Sequence, residues 1–523
     1  MIVIPEKKAL LLRLRDPERV KAVIPTARMV MHRGQQHIAV PHKVEAVQLL
    51  RNLGITAPSP IGFYYNWPGR YKPFNAQKEA AEFMTVHNRA FNLADLGTGK
   101  TLATLWAYDY LRSRGVVNKA LVVSPLSTLE RTWADEIFNH FHHLHCVVLY
   151  GTREQRLKQL KQKADVYLIN HDGMKISGFV EAMADRPDID LIIVDEIAQA
   201  ARNAGTDRFK VLNTLVNKQH SRRAWGLTGT PTPDNPTDAW AQCRLLVPER
   251  VPPYFNRFRD QVMRQAGPFA WVPRPNALEV VKEAMQPAIR FNRDECVDLP
   301  PCMYETRQAE MTVEQRKAYK NMLTKLHTEI ANGEVTAVNE AVKAQKLLQI
   351  GCGVAYSGDG EHLIMDATPR MEVVREVCEE SNSKSIVFVP FVGSIEPLRQ
   401  YLEKHGFSTE AIHGGVSKKE RDVIFRDFQK AKDPQVLVAQ PAAMSHGLTL
   451  TAASTIIWYA PTNSNDIFEQ ANARITRPGQ KHSQLIMMIQ GTDIEAKYYR
   501  RLKDKQKVQG VLLEMVRKDR VPA

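Results

Sequence analysis

Short, unbroken apolar runs recur along the middle of the chain, separated by stretches whose apolar residues return at helical spacing. Between residues 69 and 248 the runs are "AFNLA", "ALVVS", "DVYLIN", "DLIIVD" and "AWGLT". Runs that do not alternate with polar residues predict strands covered on both faces, as in a parallel sheet with crossover helices. The same rhythm returns from residue 366 onward with "KSIVFV", "TEAI", "QVLVA", "STIIWY" and "QLIMMI"; the Met487–Met488 pair in the last reads as core filler. Between 249 and 365 the rhythm breaks. "VPERVPPYFNRF" and "VDLPPC" are punctuated by proline, and "TVEQRKAYKNMLTKLHTEI" reads as a helix capped by threonine, so a mostly helical linker or insertion is expected. Residues 1–68 form a further small unit, with strands expected at "ALLLRLRD" and "QHIAVP" and helices at "PERVKAVI" and "HKVEAVQLLRNLG". The expected fold is α/β: two parallel-sheet domains (69–248 and 366–523, the second ending in a C-terminal helix), a helical linker (249–365) and a small α+β N-terminal domain (1–68).

Composition narrows the possibilities. In 523 residues there are 71 Lys and Arg against 57 Asp and Glu, a net charge of +14. A basic protein of this size commonly meets a polyanion, and nucleic acid is the commonest one. Residues 1–70 hold eleven Lys or Arg and four acids, a balance that suits a nucleic-acid-facing accessory domain as well as a solvated basic surface. The six cysteines form no C-x-x-C pair and read as reduced thiols in a cytoplasmic protein rather than as zinc ligands. Charges interrupt the N-terminus too early for a signal peptide, and no apolar run reaches membrane-spanning length.

The chemistry gathers in three places. "LADLGTGKT", Leu93 to Thr101, places a glycine turn between a strand and an amphipathic helix. A phosphate-binding loop needs that context. Gly97, Thr98 and Gly99 would turn backbone N–H groups toward phosphate oxygens at the positive end of a helix. Lys100 would reach the β- and γ-phosphates, and the Thr101 hydroxyl would ligate Mg²⁺. Ala94 stands where the full phosphate-loop pattern has its first glycine. "LIIVDE" ends an apolar strand in two acids: Asp195 to hold Mg²⁺ and Glu196 to orient and deprotonate water. "QANARITRPGQ" places Arg474 and Arg477 three apart, on one face if helical, where they could meet charge developing on a γ-phosphate. His171 and His413 lie beside turns and read as local hydrogen-bonding residues.

With these motifs in view, the chain resembles the superfamily-two helicases, specifically the Swi/Snf-type DNA translocases in a compact bacterial or phage form. "NLADLGTGKT" resembles motif I, "VVSPLSTLERTWADEI" motif Ia, "VDEIAQAARN" motif II and "LTGTPTPDNPTDAW" motif III. "IVFVPF" and "IHGGVSKKERDVIFRDF" resemble motif IV and the segment after it, "SHGLTLTAAS" motif V, and "QANARITRPGQ" keeps the family's Q-x-x-x-R-x-x-R-x-G-Q spacing. "PAIRFNRDECVDLPP" and "GTDIEAKYYRRLKDK" extend the resemblance, which spans about residues 70–510 in order.

The resemblance implies two RecA-like domains that use ATP and Mg²⁺. It implies an adenine-reading Gln77, coupling through Thr228, Gly229, Thr230 and Gln470, and DNA-backbone contacts at Ser124, Pro125, Ser445, Gly447 and Thr449. Short hydroxyls and free N–H groups suit phosphate contacts that ignore base identity. Two positions depart from the family pattern: Ala198 replaces the histidine of D-E-x-H, and Thr476 stands where many relatives have histidine. The implied activity is that of a DNA-dependent ATPase moving on double-stranded or branched DNA as a monomer, in repair, recombination or replication. Two other readings stay open, a strand-separating helicase on RNA or DNA and an ATP-switched clamp without efficient turnover. The C-terminal stretch from Arg500 to Arg520, with eight basic residues and three acids, fits either a DNA contact or a docked helix with a wet face.

Overall fold

The computed structural model describes residues 1–219, 222–267, 271–292, 296, 300–331, 337–356, 362–444, 449–477 and 480–504. These fall into two units, one within Met1–Val297 and one within Asp298–Val508.

The first unit opens with an antiparallel sheet of β1 (Ile2–Ile4), β2 (Ala9–Leu12), β3 (Arg28–His32) and β4 (Gln35–Pro41), in the order β1-β2-β4-β3. The register sets Leu10 opposite Val40 and Leu12 opposite Ile38. This apolar face packs on Val20 of the helix Glu18–Val23 and on Val47 and Leu50 of the helix Val44–Asn52. The apolar runs predict β2 and β4. β1 is only three residues long, and the "RMVMH" of β3 mixes basic and apolar positions at the sheet edge, so neither carries a clear pattern.

The main sheet of this unit contains β5 (Arg89–Asn92), β6 (Lys119–Ser124), β7 (Cys146–Val148), β8 (Val166–Asn170), β9 (Ile189–Asp195), β10 (Arg223–Leu227) and β13 (Ala288–Ile289); β11 (Met263–Gln265) and β12 (Trp271–Pro273) form a separate hairpin. The seven strands are parallel, in the order β13-β5-β10-β9-β6-β8-β7. Neighbouring residues bury on opposite faces: Phe91, Val123, Ile192 and Val194 enter one core, and Ala90, Val122, Ile193 and Trp225 the other. This double burial is why the runs are continuous rather than alternating; each buried aliphatic side chain contributes about 1.5–3 kcal/mol.

The second unit repeats the plan with β14 (Cys302–Gln308), β17 (Lys384–Phe388), β18 (Thr409–Ile412), β19 (Val436–Ala439), β20 (Ala453–Trp458) and β21 (Gln484–Gln490), beside a hairpin of β15 (Val354–Tyr356) and β16 (His362–Ile364). Its parallel sheet runs β14-β21-β20-β17-β19-β18. Met487 and Met488 are buried on opposite faces of β21, as core residues. The region 249–365, expected as a mostly helical linker, supplies an edge strand to each sheet, β13 to the first and β14 to the second. β14 has the sequence "CMYETRQ" and is largely exposed, so no apolar run marks it. Among the described residues no helix is long and apolar enough to cross a membrane.

Candidate active site

The central strands of the first sheet end at one level: Leu227 of β10 is paired with Asn92 of β5 on one side and with Asp195 of β9 on the other. Three loops therefore leave the carboxyl edge side by side, where parallel sheets bind ligands.

The first loop joins β5 to the helix Lys100–Ser113. Gly97 (φ +85°) and Gly99 (φ +77°) both adopt left-handed backbone. The left-handed φ at 99 disfavours any side chain there, and a Cβ would stand 2.0 Å from Gln77 Nε2, so that amide would have to move. Gln77 is buried, and its Oε1 accepts from the Phe74 N–H at 2.9 Å. The glutamine thus lies against the loop, fixed by the start of its own helix, Asn75–Val86. Lys100 Nζ donates to the carbonyls of Ala94 (2.8 Å) and Asp95 (3.1 Å). Burial lowers the pKa of its ammonium below the ordinary lysine value, while the carboxylates of Glu196, Asp195 and Asp95 act in the opposite direction. Thr98 is buried and donates through Oγ1 to the Asp95 carbonyl at 2.8 Å; Thr101 lies in the first helical turn.

The second loop begins at Asp195, whose carboxylate is held on three sides. Oδ2 accepts from Ser124 Oγ and Trp133 Nε1, each at 2.9 Å, and Oδ1 from the Glu196 N–H at 3.1 Å. The Asp195 carbonyl lies 2.9 Å from His171 Nε2. Since a carbonyl only accepts, that nitrogen carries the proton. Glu196 sits at φ 48°, ψ 52°. Left-handed backbone at a side chain of this size costs roughly 1–3 kcal/mol and is concentrated at functional sites. Glu196 stands at the N-terminus of the short helix Ile197–Ala200.

The third loop carries Thr228, Gly229 and Thr230. Thr228 N–H donates to the Asn92 carbonyl (3.1 Å), and Thr230 N–H to Thr228 Oγ1 (3.1 Å). A Cβ on Gly229 would come within 3.3 Å of Leu96, so this loop rests on the phosphate-type loop. Ala198 is buried and has no polar side-chain atom, but Arg202, just beyond, forms an ion pair with Asp234 of the third loop.

Two expected DNA-backbone residues stand elsewhere. Ser124 is fully buried, with its hydroxyl bonded to Asp195 and 2.5 Å from Thr128 Oγ1, and Pro125 is also buried. In this structure Ser124 belongs to the carboxylate's surroundings rather than to an exposed surface. Ser445 and Gly447 lie outside the described residues.

In the second unit, Gln470 lies on the helix Asn465–Asn472, and its Nε2 donates to Asp466 at 2.9 Å. Arg474 is buried, with Nε on the Gln470 carbonyl at 2.9 Å. Arg477 Nε donates to the Ala473 carbonyl (3.3 Å), and its Nη1 is 3.5 Å from Thr449 Oγ1. The expectation of a shared helical face fails, because the helix ends at Asn472, before either arginine. Thr476 is buried and turned back onto the Asn472 carbonyl. His413 Nδ1 accepts from Gly415 N–H, a local bond of the expected kind.

The sequence pointed to no role for Trp133, Arg290 or the carboxylate of Asp95. Arg290 has a side chain 3% exposed and pairs with Asp95 at the entrance of the first loop. The available signal was a lone arginine inside the apolar run "AIRF", since a charge in a buried strand requires a partner. Trp133 offered no comparable signal beyond its place in "ERTWADEI".

A family model described as the SNF2-related domain matches residues 76–352, and one described as the helicase conserved C-terminal domain matches residues 369–479. Among curated relatives, Putative protein p41 of Acyrthosiphon pisum secondary endosymbiont phage 1 is 26% identical over 455 residues, covering 81% of this chain and 94% of that protein. The ISWI chromatin-remodeling complex ATPase CHR11 of Arabidopsis thaliana is 24% identical over 460 residues; the match covers 81% of this chain but 41% of that protein. Among solved structures, the Sulfolobus solfataricus SWI2/SNF2 ATPase core in complex with dsDNA is similar at 22% identity and a TM-score of 0.41, covering 86% of this chain and 96% of that one.

Proposed function

The chain belongs to the family defined by the SNF2-related domain, followed by a helicase conserved C-terminal domain, and on that premise we propose that it is a DNA-stimulated ATP hydrolase that moves along double-stranded DNA and remodels branched or forked DNA. The observation that carries this reading is the gathering of Lys100, Asp195 and Glu196 at the carboxyl edge of one parallel sheet, around a left-handed glycine loop at a helix N-terminus.

The residues fit the substrate and its metal. Lys100 is half-buried and held by two neutral carbonyls, and a triphosphate is a stronger partner for its ammonium than either. The Thr101 hydroxyl and Asp195 carboxylate are hard oxygen donors of the kind Mg²⁺ takes. Bound there, Mg²⁺ would neutralise charge on the terminal phosphates. Ser124 and Trp133 fix the Asp195 carboxylate in advance. Glu196 orients a water and takes its proton as the oxygen attacks the γ-phosphorus and ADP leaves. Gln77 reads the adenine edge. Thr228, Gly229 and Thr230 pass the state of the loop onward, and the contact of Gly229 with Leu96 supports that role.

During turnover Arg474 and Arg477, with Gln470, act on the same nucleotide from the second domain. Alternation between nucleotide states then advances the duplex through backbone contacts at Thr449, Ser445 and Gly447. The reading includes a monomer working in the cytoplasm of a bacterium or a phage-infected cell; the named phage relative supports that setting. Ala198 favours a second reading, an ATP-switched clamp with little turnover, because it cannot hydrogen-bond where relatives use histidine.

Phosphate release measured with no nucleic acid and with single-stranded, duplex, forked and four-way DNA and RNA decides between them. Stimulation by duplex or branched DNA, falling steeply with salt, is expected. Equal rates without nucleic acid, or stimulation by RNA alone, would contradict the motor, and binding of ATP without release would establish the clamp.

A further inference from the structure

Arg290 belongs to no role described so far. Its segment runs parallel to β5, with Ala288 beside Phe91 and Ile289 beside Asn92. The backbone ladder continues past the end of β5: the N–H groups of Phe91, Leu93 and Asp95 donate to the carbonyls of Pro287 (3.0 Å), Ile289 (2.8 Å) and Phe291 (3.0 Å). The strand that leads toward the second unit is therefore fastened to the phosphate loop at its first residues.

The side chain adds a second fastening. Arg290 Nη2 forms an ion pair with Asp95 Oδ1, Nη1 donates to the Phe291 carbonyl, and Nε is buried without a hydrogen-bond partner. An arginine buried with one donor unsatisfied is costly to keep, and here it stands beside an ionised loop. The Asp95 carbonyl meanwhile accepts from Thr98 N (3.4 Å), Thr98 Oγ1 (2.8 Å) and Lys100 Nζ (3.1 Å). Asp95 thus holds Arg290 through its carboxylate and Lys100 through its carbonyl.

We infer that Arg290 is a positioning residue of the nucleotide site: it neutralises Asp95 in place and leaves Lys100 resting on weak, neutral carbonyls from which a phosphate can take it. Without Arg290 the Asp95 carboxylate competes with phosphate for the lysine ammonium, since the charged acceptor is the stronger one. The same tether ties the loop to the segment entering the second unit, so a pull on that segment is felt at Lys100. This inference rests on the nucleotide reading above, and its test has one arm that does not.

The nucleotide arm is equilibrium binding of a fluorescent ATP analogue to the full chain. Arg290→Gln should weaken binding roughly tenfold, the size expected for one unpaired charge beside the site. Arg290→Lys should stay within about threefold, and the double variant Arg290→Gln/Asp95→Asn should recover to about threefold, because no carboxylate remains to capture Lys100. The second arm is amide hydrogen exchange of the ligand-free protein. Exchange across Asp95–Gly99 should quicken in Arg290→Gln while β9 and β10 keep the wild-type rate. If Arg290→Gln does not fold, Asp95→Asn cuts the same tether from the loop side and should quicken the same amides. Unchanged loop exchange, unchanged binding in Arg290→Gln, or a double variant as weak as the single one would overturn the inference. Failure of the wild type to bind the analogue would instead refute the nucleotide reading and leave the exchange result to judge the tether.

Discussion

The carboxyl edges of the two sheets are built from the same kind of parallel strands but carry opposite chemistry. The first gathers acids and cations on neighbouring loops: Asp195 within its shell of Ser124 and Trp133, Glu196 on left-handed backbone, Lys100 on the loop carbonyls, and Asp95 paired with Arg290. The motif arginines of the second follow the end of the helix Asn465–Asn472; Arg474 leans on the Gln470 carbonyl and Arg477 on that of Ala473. On the proposed reading, the first edge supplies the groups that bind a triphosphate and activate water, and the second supplies Arg474 and Arg477. The division expected is that the first unit both binds nucleotide and activates water, while the arginines of the second set the rate of turnover without setting affinity.

The largest effects should fall on the first edge. Glu196→Gln is expected to retain ATP affinity and lose turnover by about 10³-fold or more, as for removal of a catalytic base. Lys100→Ala should lose binding itself, by roughly a hundredfold, which a titration with labelled nucleotide reads directly. Normal hydrolysis by Glu196→Gln would remove that residue from the chemistry. Next in size, Arg477→Ala and Arg474→Ala should each slow turnover by about 10²–10³-fold with ATP affinity little changed.

Smaller effects sharpen the same contrast. Trp133→Phe takes one of two donors from Asp195 Oδ2. The Mg²⁺ concentration for half-maximal turnover should rise roughly tenfold, the usual cost of losing a group that orients a metal ligand. Smallest is a change of stability alone. Burial, with Glu79 nearby, raises the Glu82 carboxyl to about 7, on the helix that also carries Gln77. The folded state thus holds this proton more tightly than the unfolded chain, and the stability it contributes is full below about pH 4.5 and falls as pH rises toward 7. Glu82→Gln should raise the thermal midpoint by a few degrees at pH 8 and leave it unchanged at pH 4, with ATP affinity unaltered. A matching rise at pH 4 would show that charge is not the cause.

What the sequence made legible follows the same physics. Double burial forces continuous apolar runs, so β5, β6, β8, β9 and β10 were expected, as were β17 to β21. β7, β13 and β14 were not, because each is short or lies at an edge, where one side of the strand is free to be polar. Lys100, Asp195 and Glu196 could be read as chemistry because spacing fixes their places on loops that leave parallel strands. The bond from Ser124 to Asp195 could not: its motif resembles a DNA-backbone contact, and only the fold brings its hydroxyl to the carboxylate. Arg474 and Arg477 would share a face only if helical, and the helix ends at Asn472, before both. Arg290 and Asp95 are 195 positions apart, a pairing that no local pattern announces.

The most direct test is to measure ATP affinity and DNA-stimulated phosphate release on the same preparations of wild type, Lys100→Ala and Arg477→Ala. Expected is loss of affinity in Lys100→Ala alone, with Arg477→Ala binding ATP like wild type and releasing phosphate at about a hundredth of its rate or less. An Arg477→Ala protein that hydrolyses ATP as wild type does, or one that loses affinity as Lys100→Ala does, would contradict the division between the two units.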